Sequence, residues 1–148
     1  MKKQTCQIGK PIPHKGIKLS MVFSFRNEEE VLPELIARVR SVLKSEKDKG
    51  LIASYELIFV NDRSSDRSEE ILKEQDMSHD DIKIINMSRT FGVSPCVMTG
   101  LKYSTGDAAI YMDADLQDPP ELILKFVNEW ENKYDLVSGE GIYIWGDG

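Results

Sequence analysis

The sequence predicts an α/β fold in which a mostly parallel sheet is covered by helices on both faces. Short apolar runs typical of strands alternate with segments whose apolar residues recur at helical spacing. Strands that are connected through helices pair in parallel and are buried on both faces. Polar clusters follow the apolar runs, so they fall at the carboxyl edge of the sheet, where this fold class binds ligands. The length of 148 residues suits one domain with its own core.

The first half of the chain contains two predicted strand–helix units. The strand over 19–25 is followed by a polar turn, and Pro33 suits the first turn of a helix because its fixed φ fits there. That helix has one apolar face, formed by Leu32, Leu35, Ile36, Val39, Val42 and Leu43. The second strand covers 55–60, and Asp66 with Glu69 predicts a capping box that starts a short helix.

The second half repeats this alternation. The strand over 82–87 leads into a helix that begins after Phe91-Gly92, and the strand over 108–112 leads into a helix over 119–132. Asp118, followed directly by proline, carries the local signals of that helix start. A fifth strand is expected to begin at 135–138.

Composition and charge limit the classes of function. The net charge of -6 argues against nucleic-acid binding, which needs a basic face. An acidic protein also repels an anionic ligand, unless a bound divalent cation reverses the local charge. Cys6 and Cys96 have no metal or redox spacing and fit two reduced thiols. With no apolar stretch of ~20 residues and no signal peptide, the expected location is cytoplasmic.

The strongest local signal for chemistry is Asp113-Ala114-Asp115 at the end of the apolar run 108–112. Two carboxylates on alternate residues converge on one hard cation if the chain turns after the strand. Oxygen ligands suit Mg²⁺ or Mn²⁺, whose usual partner is a substrate's phosphates. The residues alone therefore predict a metal-dependent enzyme that handles a nucleotide diphosphate.

Four segments carry a resemblance to a known family. They are 27–30 (Asn-Glu-Glu-Glu), 60–66 (Val-Asn-Asp-Arg-Ser-Ser-Asp), 88–92 (Ser-Arg-Thr-Phe-Gly) and 112–121 (Met-Asp-Ala-Asp-Leu-Gln-Asp-Pro-Pro-Glu). In order and spacing they resemble the family 2 glycosyltransferases, in particular the branch with dolichol-phosphate mannose synthase and the bacterial polyprenyl-phosphate glycosyltransferases. The resemblance implies a Rossmann-like GT-A fold, a UDP- or GDP-linked sugar donor, Mg²⁺ or Mn²⁺, and inverting transfer to a polyprenyl phosphate or a growing glycan.

The resemblance also implies roles for individual residues. It assigns donor binding to Ser24, Phe25, Arg26, Glu28, Asp62, Arg89, Asp113 and Ala114. It assigns the metal to Asp113, Asp115 and Gln117, with Asp115 as a direct ligand. Structural alternatives stay open, because Asp62 also fits an Asx-turn and Glu28 also fits a first-turn helix acid. Asp66 fits a helix cap better than a ligand contact.

The sequence departs from the family at three places. Ser24 and Arg26 stand where the family commonly has Pro and Tyr, and Arg63 stands where Gly is usual. The segment 140–148 is unlike the family, which continues with an acceptor segment and often with membrane-associating helices. We therefore expect a polar leader over 1–18, a donor-binding domain over 19–139 and an atypical tail over 140–148 at the end of a truncated chain. Exposed apolar residues in this tail would favour association between copies of the protein.

These departures leave two readings of function open. No general base can be named, but a lipid phosphate is already anionic near neutral pH and needs none. Such an acceptor would place the protein at the cytoplasmic face of a membrane, with peripheral attachment through the missing part. The alternative is a truncated module that binds the nucleotide sugar without transferring it. A dinucleotide-binding protein is disfavoured, because the first strand leads into 25–28 and not into a glycine-rich turn.

Overall fold

A mixed sheet of seven strands, four of which form a parallel part, forms the centre of the protein in the computed structural model. The structure describes the backbone of residues 4–6, 16–131, 136–139 and 142–146, and the side chains of residues 16–127. The strands are β1 Gln4–Cys6, β2 Ile17–Phe25, β3 Ile52–Asn61, β4 Ile82–Asn86, β5 Ala108–Asp113, β6 Leu136–Gly139 and β7 Ile142–Gly146. The helices are α1 Leu32–Asp48, α2 Ser68–Asp76, α3 Val93–Lys102 and α4 Leu122–Glu131.

The strand order places a topological switch point beside β2. The order is β1-β6-β7-β5-β2-β3-β4, and β2 pairs in parallel with β3 on one side and with β5 on the other. β4 extends the parallel part, whereas β7 pairs antiparallel with β5 and β6. The carboxyl ends of β2 and β5 therefore border a crevice of the kind in which open α/β sheets bind ligands.

Successive side chains along each strand point to opposite faces of the sheet, and they form two hydrophobic cores, one on each face. From β2, Leu19, Met21 and Phe23 face the larger core, which also buries the apolar faces of α1 and α4. Val22 faces the smaller core under α3, together with Ile58, Val60, Cys96 and Tyr111. Helices thus cover both faces of the sheet, and the predicted fold class is confirmed.

Helix α3 lies close to the sheet because of Gly100. A Cβ atom at this position would overlap with Cγ1 of Val22 and would lie 3.1 Å from Cγ2 of Val60. The absent side chain lets the helix approach β2 and β3, which brings its first turn to the carboxyl edge of the sheet. Cys96 on this helix is a free, fully buried thiol, while the side chain of Cys6 lies outside the described residues.

At the opposite edge of the sheet, Glu56 joins three elements. Its Oε1 accepts hydrogen bonds from Ser20 Oγ at 2.6 Å and Thr105 N at 2.7 Å, and its Oε2 accepts from Lys83 Nζ at 3.2 Å. Burial acts to raise the pKa of Glu56, but these hydrogen bonds outweigh it and lower the pKa to about 2. Gly106 N donates to Ser20 Oγ at 2.9 Å and extends the network. This hydrogen-bond network ties β2, β3, β4 and the loop before β5 together, and its role is structural.

One predicted helix start and one predicted capping box are wrong. Helix α4 begins at Leu122 and not at residue 119, because residues 120–121 form a turn. Helix α2 begins at Ser68, and the predicted capping box is not formed. Asp66 Oδ1 accepts from Ser68 N at 3.0 Å, but Glu69 pairs with Lys73 at 2.9 Å instead of reaching back.

The strands extend beyond the predicted ranges at both ends of the chain. β2 begins at Ile17, two residues inside the expected leader, and β1 at Gln4–Cys6 pairs antiparallel with β6. β7 lies within the expected tail and is a paired strand of the sheet. The other leader residues, 1–3 and 7–15, and the tail residues 140–141 and 147–148 lie outside the described residues. None of the helices in the described part of the chain is both long and apolar enough to traverse a lipid bilayer.

Candidate functional site

A cleft of about 290 Å³ opens at the switch point. The residues that line it come from the carboxyl ends of β2 and β5, from the loops that follow β2, β3 and β5, and from the start of α3. They are Ser24, Phe25, Arg26, Glu28, Asp62, Gly92, Val93, Cys96, Asp113, Ala114 and Asp115. The fold therefore brings together most of the residues that the sequence assigned to the donor and the metal.

The cleft is acidic. Glu28, Asp113 and Asp115 all line it, together with the buried Asp62. Partial burial raises the pKa of Glu28, and the nearby charges of Asp115 and Asp66 raise it further. These neighbouring charges disfavour the ionised form of Glu28, and a bound cation would relieve that repulsion.

Asp113 is held by Tyr111, a residue that the sequence analysis treated only as part of a strand. The Tyr111 hydroxyl donates a hydrogen bond to Asp113 Oδ1, and Ser24 Oγ lies 2.9 Å from the same hydroxyl. Burial raises the pKa of Tyr111, and its hydrogen bond to Asp113 raises it further, so the hydroxyl stays protonated. No local pattern distinguishes a strand tyrosine with this role from a core aromatic.

Asp62 connects the end of β3 to the segment that leads into α3. Its Oδ1 accepts a hydrogen bond from Phe91 N at 2.8 Å, and its Oδ2 accepts from Gly92 N at 3.1 Å. The φ of Gly92 is +92°, which favours glycine at this position. Burial, followed by the charge of Asp62, raises the pKa of the Cys96 thiol to about 11. The Asp62 carboxylate thus fixes the segment that leads into α3, and it also accepts a hydrogen bond from the Cys96 thiol.

The loops after β2 and β3 are braced against each other. Asn27 Oδ1 accepts from Ser65 N at 2.8 Å, and Glu28 N donates to Ser68 Oγ at 2.9 Å. Asn27 and Arg63 both have positive φ values, 55° and 60°, although neither is glycine. Such backbone conformations cost energy and persist where surrounding contacts enforce them. The brace therefore fixes the backbone that presents Arg26 and Glu28 to the cleft.

The loop after β5 turns sharply at Asp115. Asp115 Oδ1 accepts from Gln117 N at 3.1 Å, and Leu116 between them has a φ of 59°. This turn leaves the Asp115 side chain half-buried at the cleft and the Gln117 side chain exposed, outside the residues that line it. Arg89 is also outside that lining, with its guanidinium 4.6 Å from the centroid of the Phe91 ring. The roles of Gln117 and Arg89 stay predictions.

The acidic residues fit a divalent cation that is shared with a ligand. Among the described residues, no group of three or more His, Cys, Asp or Glu side chains is arranged to hold a metal by itself. Mg²⁺ bound with phosphates takes one or two protein carboxylates and fills its remaining positions with phosphate oxygens and water. Asp113 and Asp115 supply that number of carboxylates in one cleft.

An α/β sheet with an acidic cleft at its switch point places the chain among proteins with the GT-A fold. A mannosyltransferase from Pyrobaculum calidifontis, PcManGT in complex with GDP-Man and Mn²⁺, aligns with a TM-score of 0.64 at 18% identity, over 86% of this chain and 35% of that chain. S. aureus TarS 1-349 in complex with UDP-GlcNAc aligns with a TM-score of 0.57 at 19% identity, over 80% of this chain and 32% of that chain. At these identities the likeness establishes the fold.

The family follows from the sequence as a whole. The model of glycosyl transferase family 2 matches residues 20–147, and the chain belongs to this family. An uncharacterized glycosyltransferase of Bacillus subtilis (strain 168), YkcC, is 43% identical over 123 residues, which are 83% of this chain and 36% of that protein. The undecaprenyl-phosphate 4-deoxy-4-formamido-L-arabinose transferase of Photorhabdus laumondii is 42% identical over 81% of this chain and 36% of its own length. The chain thus spans about a third of the length of these relatives.

Proposed function

We propose that the chain is the donor-binding part of a metal-dependent, inverting glycosyltransferase that takes a sugar from a UDP- or GDP-linked donor. The observation that carries the proposal is the position of Asp113 and Asp115. Both line the cleft at the switch point, together with Ser24 and Phe25 at the end of β2 and Arg26 directly after it. The complexes of the structural relatives, which contain GDP-Man with Mn²⁺ or UDP-GlcNAc, are consistent with this donor class.

The chain's own residues divide the cleft into two functional sides. Asp113 and Asp115 would hold Mg²⁺ or Mn²⁺, which supplies charge stabilisation to the leaving diphosphate. Arg26 and Glu28 lie on the braced loop after β2, where they would contact the nucleoside. Asp62 holds the segment before α3 beside them and would accept a hydrogen bond from the base or ribose.

The proposed acceptor is a polyprenyl phosphate or a growing glycan. The name of the Photorhabdus relative supports the lipid phosphate, because that protein is an undecaprenyl-phosphate transferase. A phosphate oxygen is anionic near neutral pH and attacks the anomeric carbon without a general base. This acceptor implies action at the cytoplasmic face of a membrane.

Calorimetric titration with UDP and GDP, each with Mn²⁺ and with EDTA, tests the donor and metal proposal. We expect one nucleotide to bind in the presence of Mn²⁺, and we expect Asp115→Ala to weaken that binding at least tenfold. Glu70→Ala is the matched control, because it removes one negative charge from an exposed position on α2. Equal binding in EDTA, or unchanged binding by Asp115→Ala, would contradict the proposal.

A transfer assay separates an enzyme from a module that only binds the donor. The chain is incubated with the nucleotide sugar that it binds, Mn²⁺ and an undecaprenyl phosphate in detergent, and the lipid product is measured. Metal-dependent formation of a glycosylated lipid supports transfer. Donor binding without any product under these conditions would favour the binding module.

A further inference from the structure

We propose that Tyr111 is a positioning residue that orients the carboxylate of Asp113 for the cation, and that Ser24 in turn orients Tyr111. The inference rests on the proposed function and adds two residues to the metal side of the cleft. Neither residue would touch the cation. Each would act through the hydrogen bond that it donates to the next residue.

The fold brings these three side chains to one face of the sheet. Tyr111 precedes Asp113 by two residues on β5, so both side chains point to the same face. The parallel register aligns Ser24 of β2 with Asp113 of β5. The Tyr111 ring is fixed in the smaller core, packed with Val22 and Cys96 under α3, while its hydroxyl reaches the carboxyl edge of the sheet.

The direction of the hydrogen bonds follows from the chemistry of the groups. An ionised carboxylate only accepts, so the single hydroxyl hydrogen of Tyr111 is donated to Asp113 Oδ1. Ser24 Oγ, 2.9 Å from the tyrosine oxygen, must then be the donor of the second bond. The result is a directed chain in which Ser24 donates to Tyr111 and Tyr111 donates to Asp113.

This series of hydrogen bonds has the properties of a support for a metal ligand. A carboxylate with one oxygen held by a buried hydroxyl loses rotational freedom before the cation arrives, which lowers the entropic cost of coordination. Tyr111 is 4% exposed and Ser24 is 9% exposed, so water competes little for these bonds.

A purely structural role makes a different prediction from a positioning role. If the Tyr111 hydroxyl only satisfies its own burial, Tyr111→Phe changes stability and leaves the affinity for the cation unchanged. If the hydroxyl positions Asp113, the affinity for the cation falls while nucleotide binding without metal stays the same. Tyr55→Phe is the matched control, because Tyr55 also donates to a carboxylate, Asp81 Oδ2 at 3.2 Å, away from the cleft.

The experiment measures Mn²⁺ affinity in the presence of UDP or GDP by electron paramagnetic resonance, and thermal melting of each apo protein. We expect Tyr111→Phe to weaken Mn²⁺ binding about tenfold, the lower end of the range for outer-shell partners of metal ligands. Ser24→Ala should weaken it by a smaller factor, and the double variant should lose no more than Tyr111→Phe. Tyr55→Phe should retain the wild-type affinity.

Two outcomes would overturn the inference and remain distinguishable. Wild-type affinity for Mn²⁺ in both Tyr111→Phe and Ser24→Ala, whatever their melting temperatures, would refute the positioning role alone. If the wild-type chain binds neither nucleotide in a Mn²⁺-dependent way, the proposed function fails and the inference fails with it. Should Tyr111→Phe not fold, Ser24→Ala still decides the question, because it leaves the tyrosine ring in the core.

Discussion

Replacing Asp62 with alanine tests whether this carboxylate holds the start of α3 in place. The change removes both acceptors of the backbone N–H groups of Phe91 and Gly92, which lie 2.8 and 3.1 Å from the carboxylate oxygens. A hydrogen bond to a charged group contributes ~1.5–3 kcal/mol, and a buried donor left without an acceptor costs a similar amount. The carboxylate is only 8% exposed, but Phe91 is 38% exposed, so water reaches part of the freed donors. We expect the free energy of unfolding to fall by ~2–4 kcal/mol.

Urea unfolding followed by circular dichroism measures this loss. Asp62→Asn retains one acceptor oxygen and should cost less, ~1–3 kcal/mol, because its amide NH₂ would face one of the two backbone donors. Glu70→Gln is the control, since Glu70 is 68% exposed and forms a surface ion pair whose loss changes stability by less than ~1 kcal/mol. The reasoning is refuted if Asp62→Ala is no less stable than Glu70→Gln, or if Asp62→Asn is the more damaging of the two changes at position 62.

Three further substitutions test other parts of the fold. The lowered pKa of Glu56 stabilises the protein above pH ~4.5, and this contribution of up to ~3 kcal/mol is lost as the pH falls towards about 2. Glu56→Gln should therefore make the free energy of unfolding less dependent on pH in this acid range. An unchanged pH dependence would contradict the role given to Glu56. Asp81→Asn weakens a largely buried ion pair with Arg40, in which the nitrogen and oxygen atoms are 2.6 Å apart. Urea titrations should show a fall of ~3–5 kcal/mol in the free energy of unfolding. A loss below ~1 kcal/mol would show that the ion pair is dispensable. Gly106→Ala would place a Cβ 2.7 Å from the Lys18 carbonyl oxygen. The steric overlap should lower the free energy of unfolding by ~1–3 kcal/mol, measured by thermal melting. A wild-type melting temperature would show that this edge of the sheet can relax.

The sheet and most helices could be predicted because their signals are local. The apolar run over 108–112 gives a strand whichever way the rest of the chain folds, and Asp113 follows it at the carboxyl edge. The helical spacing from Leu32 to Leu43 similarly gives the buried face of α1, which the structure confirms. The family resemblance added the roles of these residues, since a bare Asp-x-Asp pattern occurs in many turns.

The contacts that shape the cleft were beyond sequence reasoning because they join distant residues. Asp62 meets the backbone of Gly92 across 30 positions, and Asn27 meets Ser65 across 38. Neither pair has a periodic signal, and both partners look like ordinary loop residues. Tyr111 was hidden for a different reason, because an aromatic residue in an apolar run predicts a core position, and only its hydroxyl reaches the site.

The capping box of α2 was predicted wrongly because its two acidic residues have other partners. Glu69 was expected to reach back to the start of α2, but Lys73 and Asn86 offer it partners at 2.9 and 3.0 Å. Asp66 is similarly drawn towards Glu29 N, at 3.2 Å, and so links α2 to the loop after β2. Asp66 therefore serves the brace between the loops, whereas Glu69 links α2 to the end of β4.

The two sides of the cleft are stabilised by different means, and the difference bears on how a ligand would bind. On the β2 and β3 side, hydrogen bonds between loops hold Glu28 and Asp62 in place, so little order remains to be gained there. On the β5 side, Asp115 depends on a local turn, and its charge contributes to the raised pKa of Glu28. The repulsion between these carboxylates destabilises the folded protein when no ligand is bound, and a bound cation would remove it. A cation–nucleotide complex should therefore bind more tightly than either component, because each offsets the charge that disfavours the other.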